Sequence, residues 1–299
     1  MRKPPPIEQA LAIQTAPEHR ELHLIGEDEL AQLDRFSLER RSRALASPLY
    51  LGNSRAICRI LGRYKFFIDT CDEGFGSHLL LDGFWEGWLT CFLIERLKPG
   101  MVFADIGANF GYYSVLGADR VGPTGRVIAA EPNPAAASLL RKSLAVNGLS
   151  GSADVVEAAI SDGAAAEAWL QVPEHEPKNA HLVGAPPAEN AERVIKVAVL
   201  SGDALLAGFG RVDIIKIDAE GAEDMIVRGL ERTIAKHRPQ MIIEFDPRRC
   251  QSPDELVTRL ETVYGTFSAL ETDGILHPVG RSDLLERARA DDWLIVVGG

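Results

Sequence analysis

From residue 101 onward, short apolar runs of strand length alternate with amphipathic stretches of helix length, and few folds accommodate that rhythm. The runs 101–105, 126–131, 154–160, 212–218 and 240–245 read as strands. Helices are expected over 112–118, 134–147, 221–236 and 253–263. The strands carry no polar alternation, as expected of strands covered on both faces. Such a chain builds an α/β fold with a doubly wound, mostly parallel sheet. The runs 266–270 and 293–297 read as a closing pair of strands.

Upstream, residues 27–46 carry Leu30, Leu33, Leu38 and Leu45 at helical spacing and predict one surface helix. Residues 56–69 read as β-structure turning at Gly62, and 84–97 as a helix stopped by Lys98-Pro99-Gly100. We therefore divide the chain into an N-terminal accessory region, 1–82, with helical and β-hairpin character, and a main domain, 83–299. Whether residues 1–50 cap the main domain or serve as an oligomerisation arm stays open. Within the main domain, 163–198 breaks the rhythm: strand-like stretches 169–172 and 194–199 bracket Pro173, Pro177, Pro186 and Pro187. An excursion that long beside an active face suits a lid.

Composition narrows the partners. The 299 residues hold 32 Lys+Arg against 43 Asp+Glu, a net charge of −11, which argues against a nucleic-acid partner. With 46% hydrophobic residues the chain can bury a core and is not intrinsically disordered. Cys58, Cys71, Cys91 and Cys250 show neither C-x-x-C spacing nor a histidine cluster, so no metal site and no disulfide framework is expected. The start, Met1 to Pro6, leads into no apolar segment of signal-peptide type, and no run is long enough to span a bilayer. A cytoplasmic location is the expectation.

In open α/β sheets ligands bind beyond the carboxyl ends of the strands. The first strand ends Asp105-Ile106-Gly107-Ala108-Asn109-Phe110-Gly111, a G-x-x-x-G turn rather than the dinucleotide pattern G-x-G-x-x-G. An acid at 105 and a side chain at 109 suit a ligand with a positive amino group better than a pyrophosphate. The second strand ends in Glu131, 24 residues after Gly107, where an acid can take both ribose hydroxyls of an adenosine. Asn133 is placed to cap the following helix, which opens at Pro134. The fourth and fifth strands end in Lys216-Ile217-Asp218-Ala219-Glu220 and in Glu244, so two neighbouring strands deliver a carboxylate to one cleft. Such a pair suits moving a proton or binding hydroxyls.

Three blocks carry a resemblance: residues 103–113, Glu131-Pro132-Asn133-Pro134, and Lys216-Ile217-Asp218-Ala219-Glu220-Gly221-Ala222-Glu223. In order and spacing the chain resembles the FkbM-type S-adenosylmethionine-dependent methyltransferases over about residues 84–247, with Trp85-Glu86 similar to the family's lead-in. The resemblance implies a class I methyltransferase-like sheet of about seven strands with the last antiparallel. It implies methyl transfer to a hydroxyl of a sugar or secondary metabolite, with S-adenosylhomocysteine as the second product. Carried over by position, Asp105, Gly107, Asn109 and Gly111 would hold the methionine moiety, Glu131 and Asn133 would lie at the ribose, and Ala159, Ser161 and Asp162 would meet the adenine. Asp218, Glu244 and His181 are the candidates for removing the acceptor proton, His181 by way of the excursion. A divalent metal shared by Asp218 and Glu244 is a further arrangement, though no histidine joins them in sequence. The partner is expected to be a small hydroxylated molecule, with neither nucleic acid nor membrane span, and a homo-oligomer through residues 1–82 is one arrangement. The rival readings are an NAD-dependent oxidoreductase, disfavoured by the missing G-x-G-x-x-G, and a non-catalytic S-adenosylmethionine-binding protein.

Overall fold

The computed structural model describes residues 23–184, 193–286 and 292–299. The described elements begin with α1 (Glu27–Leu30), α2 (Arg35–Leu45), β1 (Leu49–Gly52), β2 (Arg55–Ile60), β3 (Tyr64–Asp69), α3 (Phe75–Asp82) and α4 (Gly87–Arg96). There follow β4 (Val102–Ile106), α5 (Tyr112–Val121), β5 (Arg126–Ala130), α6 (Pro134–Val146), β6 (Ala153–Val156), β7 (Ala159–Ser161) and β8 (Glu167–Val172). A single 3-10 turn (Pro177–Asn179) leads to β9 (His181–Val183), β10 (Arg193–Ser201), α7 (Gly202–Leu206) and β11 (Ile214–Ile217). The chain closes with α8 (Glu223–Gly229), α9 (Glu231–His237), β12 (Gln240–Phe245), α10 (Pro253–Tyr264), β13 (Phe267–Leu270), β14 (Leu276–Val279), α11 (Arg281–Leu284) and β15 (Trp293–Val297). Among the described residues no helix is long and apolar enough to cross a membrane.

The central sheet has the order β14-β13-β15-β12-β11-β4-β5-β6. From β6 to β12 the strands are parallel, while β15 inserts antiparallel between β12 and β13. The expected closing pair is therefore β13 with β15. The sheet has eight strands where about seven were expected: β14 forms a hairpin with β13, and its polar His277-Pro278 pair gave no strand signal. Both faces are covered. Tyr113 and Leu116 of α5 and Leu140 of α6 pack in one core, and Ile226 of α8 and Leu256 of α10 in the other. β4 and β11 are buried at every position and are apolar apart from Asp105 and Lys216.

Four sequence expectations are corrected. The third strand divides into β6, on the central sheet, and β7, which leaves it to pair with β10. The helix expected over 221–236 is two helices meeting at Leu230, and that over 27–46 is broken because Asp34 caps α2, its carboxylate accepting from Ser37 N at 3.0 Å. The helix expected from residue 84 starts at Gly87 instead, since Glu86 before it has left-handed backbone. The strand-like stretches expected in the excursion are present: β7, β10, β8 and β9 make a four-stranded sheet with Leu170, Val172, Val197 and Val199 as its own small core. Residues 1–22, Pro186 and Pro187 lie outside the described residues.

The N-terminal strands form a meander, β1-β2-β3, whose last strand docks on α6. There Ser143 Oγ accepts from Phe67 N and Asn147 Oδ1 from Lys65 N, both at 3.0 Å. Phe66 and Ile68 share a core with Tyr112 and Leu140, so this addition is packed onto one face of the main sheet.

Strand order reverses between β4 and β11, and the loops after these strands touch. Gly107 has φ +77°, and a Cβ there would lie 1.7 Å from the carbonyl oxygen of Asp218. Gly111 has φ +91°, with Leu140 in the space its side chain would need. Gly107→Ala should therefore cost about 2–4 kcal/mol, combining left-handed strain with displaced backbone. A lowered urea midpoint at unchanged slope is the expected result, and an unchanged midpoint would show that the loops separate freely.

Candidate active site

The reversal point opens into a cleft lined by residues from both sheets and from the turn before α4. One end is lined by Ala158, Ala159 and Ile160, the middle by Glu131 and the Gly107–Asn109 turn, and the other end by Asp218, Glu220 and Glu244. Phe75 enters from the N-terminal addition, Trp85 and Glu86 from the turn before α4, and Lys178, His181 and Leu182 from the excursion. Among the sequence candidates, Gly107, Asn109, Glu131, Ala159, Asp218, Glu244 and His181 thus share one wall system.

Others stand behind it. Asn133 caps α6, its side-chain oxygen accepting from Ala135 N at 3.1 Å. Asp162 accepts from Ala164 N at 2.9 Å and lies 3.5 Å from Arg228, away from the cleft lining. Ser161 is buried within the β7–β10 pairing, and Gly111 shapes the entry to α5 rather than the lining. Asp105 is fully buried beneath the turn, with Ser114 Oγ donating to its Oδ2 at 2.5 Å and no hydrogen-bond partner for Oδ1.

Glu131 binds the two loops together. Its carboxylate accepts from Asn109 N at 2.8 Å and from Asn133 N at 2.7 Å, so the glycine turn is held to the β5–α6 loop. Burial lifts this carboxyl to about 7 against the pull of those two amides. Each oxygen retains a further lone pair for a ligand hydroxyl.

Lys216 is 3% exposed and carries its ammonium 3.1 Å from Asp218 Oδ2, 3.9 Å from Asp105 Oδ1 and 5.2 Å from the Tyr113 ring centre. Burial alone would favour the neutral amine, but Asp218, Asp105 and Glu244 outweigh it and raise its pKa. Glu244 is pushed up to about 10, first by the negative charge of Asp218, then by burial and by Glu86. Glu86 accepts from Tyr113 Oη at 2.6 Å. Sequence reading left Glu86, Tyr113 and Lys178 without a role, because each gains one only through tertiary packing. The Nδ1–H of His181 donates to the Asn179 carbonyl at 3.1 Å, which frees Nε2 to act as an acceptor. Among the described residues no three His, Cys, Asp or Glu side chains are grouped as a metal ion would need.

The turn from Asp218 into α8 is closed by Glu223, whose Oε1 accepts from Gly221 N at 3.0 Å and Ala219 N at 3.3 Å while Oε2 is buried without a partner. Burial raises this carboxyl from 4.5 to about 7. The folded state thus binds this proton more tightly than the unfolded chain, so its contribution is complete below 4.5 and is lost as pH rises through 7. Glu223→Gln keeps the accepting oxygen and places its amide where Oε2 has no partner. Its urea midpoint should gain on the wild type between pH 5 and pH 8, by about 1–3 kcal/mol. A difference independent of pH would show that Glu223 is ionised throughout.

The chain matches the model of the methyltransferase FkbM domain over residues 105–264, more than half its length. No curated protein matches it in sequence. Among solved structures it is similar to an FkbM methyltransferase from Methylobacillus flagellatus KT, with a TM-score of 0.43 and 17% identity over 68% of this chain and 44% of that one. It thus spans less than half of that relative. A SAM-dependent O-methyltransferase from Thermotoga maritima gives a TM-score of 0.40 at 14% identity, covering 71% of this chain and 63% of that one. The 16S rRNA N2 G1207 methyltransferase of T. thermophilus gives 0.41 at 18% identity, covering 85% and 50%. The domain match begins at Asp105 and takes in the glycine turn, Glu131 and the Lys216–Glu223 block, and by it this chain belongs to the FkbM methyltransferase family.

Proposed function

We propose that the protein is an S-adenosylmethionine-dependent O-methyltransferase acting on a hydroxyl of a sugar or secondary metabolite. The observation that carries this reading is the arrangement of Glu131, Asp218 and Glu244 around one cleft beside a glycine turn that holds no phosphate-type nest. The residues present fit the donor. Glu131 offers paired oxygens to a ribose, the small apolar stretch 158–160 offers an apolar surface to an adenine, and the turn at 107–109 lines the cleft beside Glu131. The carboxylates of Glu86, Glu131, Asp218, Glu220 and Glu244 in the lining suit a ligand with an ammonium and a positive sulfur.

Bound donor supplies a methyl group activated by positive sulfur. The chain's part is to hold the acceptor oxygen in line with that group, which can account for much of the lowered barrier, and to take the hydroxyl proton. Asp218 is the proposed proton acceptor, fixed by Lys216 at 3.1 Å. Glu244, whose carboxyl is raised by the charge of Asp218 and by burial, is the proposed hydrogen-bond donor to a neighbouring acceptor oxygen. His181 Nε2 lies in the same cleft as a second basic atom. The excursion sheet is proposed to cover the acceptor end, the region 83–299 to be the catalytic unit, and 1–82 an accessory to it.

Two outcomes test this. Glu131→Ala should weaken S-adenosylmethionine binding by about 10–100-fold in titration calorimetry, and an unchanged affinity would contradict the ribose role. Mass spectrometry of hydroxylated sugars and natural products incubated with enzyme and donor should reveal a methyl gain. With the acceptor so found, Asp218→Asn should lower kcat by about 10²–10⁴-fold while donor affinity holds, and wild-type turnover would remove Asp218 as the base.

A further inference from the structure

Glu86 stands apart from the strand-end carboxylates because it reaches the cleft from the turn before α4. It precedes α4 with φ 37° and ψ 67°, a left-handed conformation that side chains other than glycine rarely adopt. The surroundings fix that conformation. Thr90 N donates to Glu86 O at 2.9 Å, and Thr90 Oγ1 donates to Trp85 O at 2.7 Å and lies 3.1 Å from Tyr112 Oη. Tyr113, buried on α5, then holds Glu86 Oε2 at 2.6 Å. Oε1 has no hydrogen-bond partner among the described residues. The Glu86 backbone is thus held through Thr90 N and its side chain through Tyr113, which leaves one carboxylate oxygen in the cleft lining for a group outside the chain.

The charges around it are unbalanced. Facing Glu86 are Asp218 and Lys216 at the end of β11, Lys178 from the 3-10 turn, and Glu244 at the end of β12. Lys216 is already shared between Asp218 and Asp105, Lys178 lies over Trp85 at 5.4 Å, and Glu220 is paired with Arg249. Glu86 and Glu244 have no cation of their own. Burial raises the Glu86 carboxyl and the charge of Asp218 adds to it, against the Tyr113 hydrogen bond and the more distant Lys216 and Lys178.

We infer that Glu86, positioned by Tyr113, is a charge partner for the positive sulfur of the methyl donor, so that the cleft holds a sulfonium in preference to the neutral thioether left after transfer. This rests on the donor reading proposed above. Transfer of the methyl group moves the sulfur's positive charge to the acceptor oxygen, whose proton then leaves for Asp218. The thioether that remains has lost its attraction to Glu86, which favours release of spent donor over retention.

Titration calorimetry of the full chain with S-adenosylmethionine, S-adenosylhomocysteine and sinefungin (an ammonium in place of the sulfonium) tests this without an acceptor. Wild-type protein should bind the two cationic ligands about fivefold or more tightly than the thioether. Glu86→Gln should bring the three within about twofold of one another by weakening only the cationic pair, whereas a merely structural role would weaken all three alike. Tyr113→Phe should move the ratio in the same direction by a smaller factor. Equal wild-type affinity for all three, or a preference that survives in Glu86→Gln, overturns the inference and leaves the donor reading standing. The wild-type comparison decides even where a variant fails to fold. Binding of none of the three overturns the donor reading, and this inference with it.

Discussion

Lys216 places an ammonium where solvent hardly reaches, 3.1 Å from Asp218 and 3.9 Å from Asp105. A buried charge of that kind is tolerable only when partners surround it, and breaking such a group by removing one partner leaves the other uncompensated. Much else in the cleft follows from it. Asp105 can be fully buried because Lys216 and Ser114 face it. Asp218 is held at the mouth of β11, and its negative charge in turn raises the carboxyl of Glu244. The lysine's other side rests on the Tyr113 ring, which ties the central strands to the residue that orients Glu86.

The backbone arrangement serves the same point. The β4 and β11 loops meet so closely that Gly107 has no space for a side chain, and Glu131 ties the glycine turn to the next loop through two amides. A preorganised backbone with carboxylates aimed into a shared cleft suits a cationic ligand, and its polar groups need little rearrangement on binding.

Much of this was legible in the chain itself. The apolar runs ending in Asp105, Glu131, Asp218 and Glu244 marked the strand ends, because parallel strands buried on both faces admit polar residues only where they emerge. Lys216 could be recognised as costly unless paired. What local sequence could not carry was tertiary. Glu86 sits before a helix with no period to single it out, and Tyr113 reads as ordinary core. His181 reaches the cleft only because β9 pairs with β8, and the third strand looked continuous although its second half belongs to another sheet. The extra edge strand β14 was hidden by a proline and a histidine in a four-residue run.

The central claim is that the cleft at the β4–β11 reversal is a methyl-donor site. A crystal structure of the full chain with S-adenosylhomocysteine tests it most directly. The account predicts adenine against residues 158–160, ribose hydroxyls on Glu131, and sulfur between the 107–109 turn and the Glu86–Asp218 pair. Ligand bound elsewhere, or a ribose with no contact to Glu131, would contradict it.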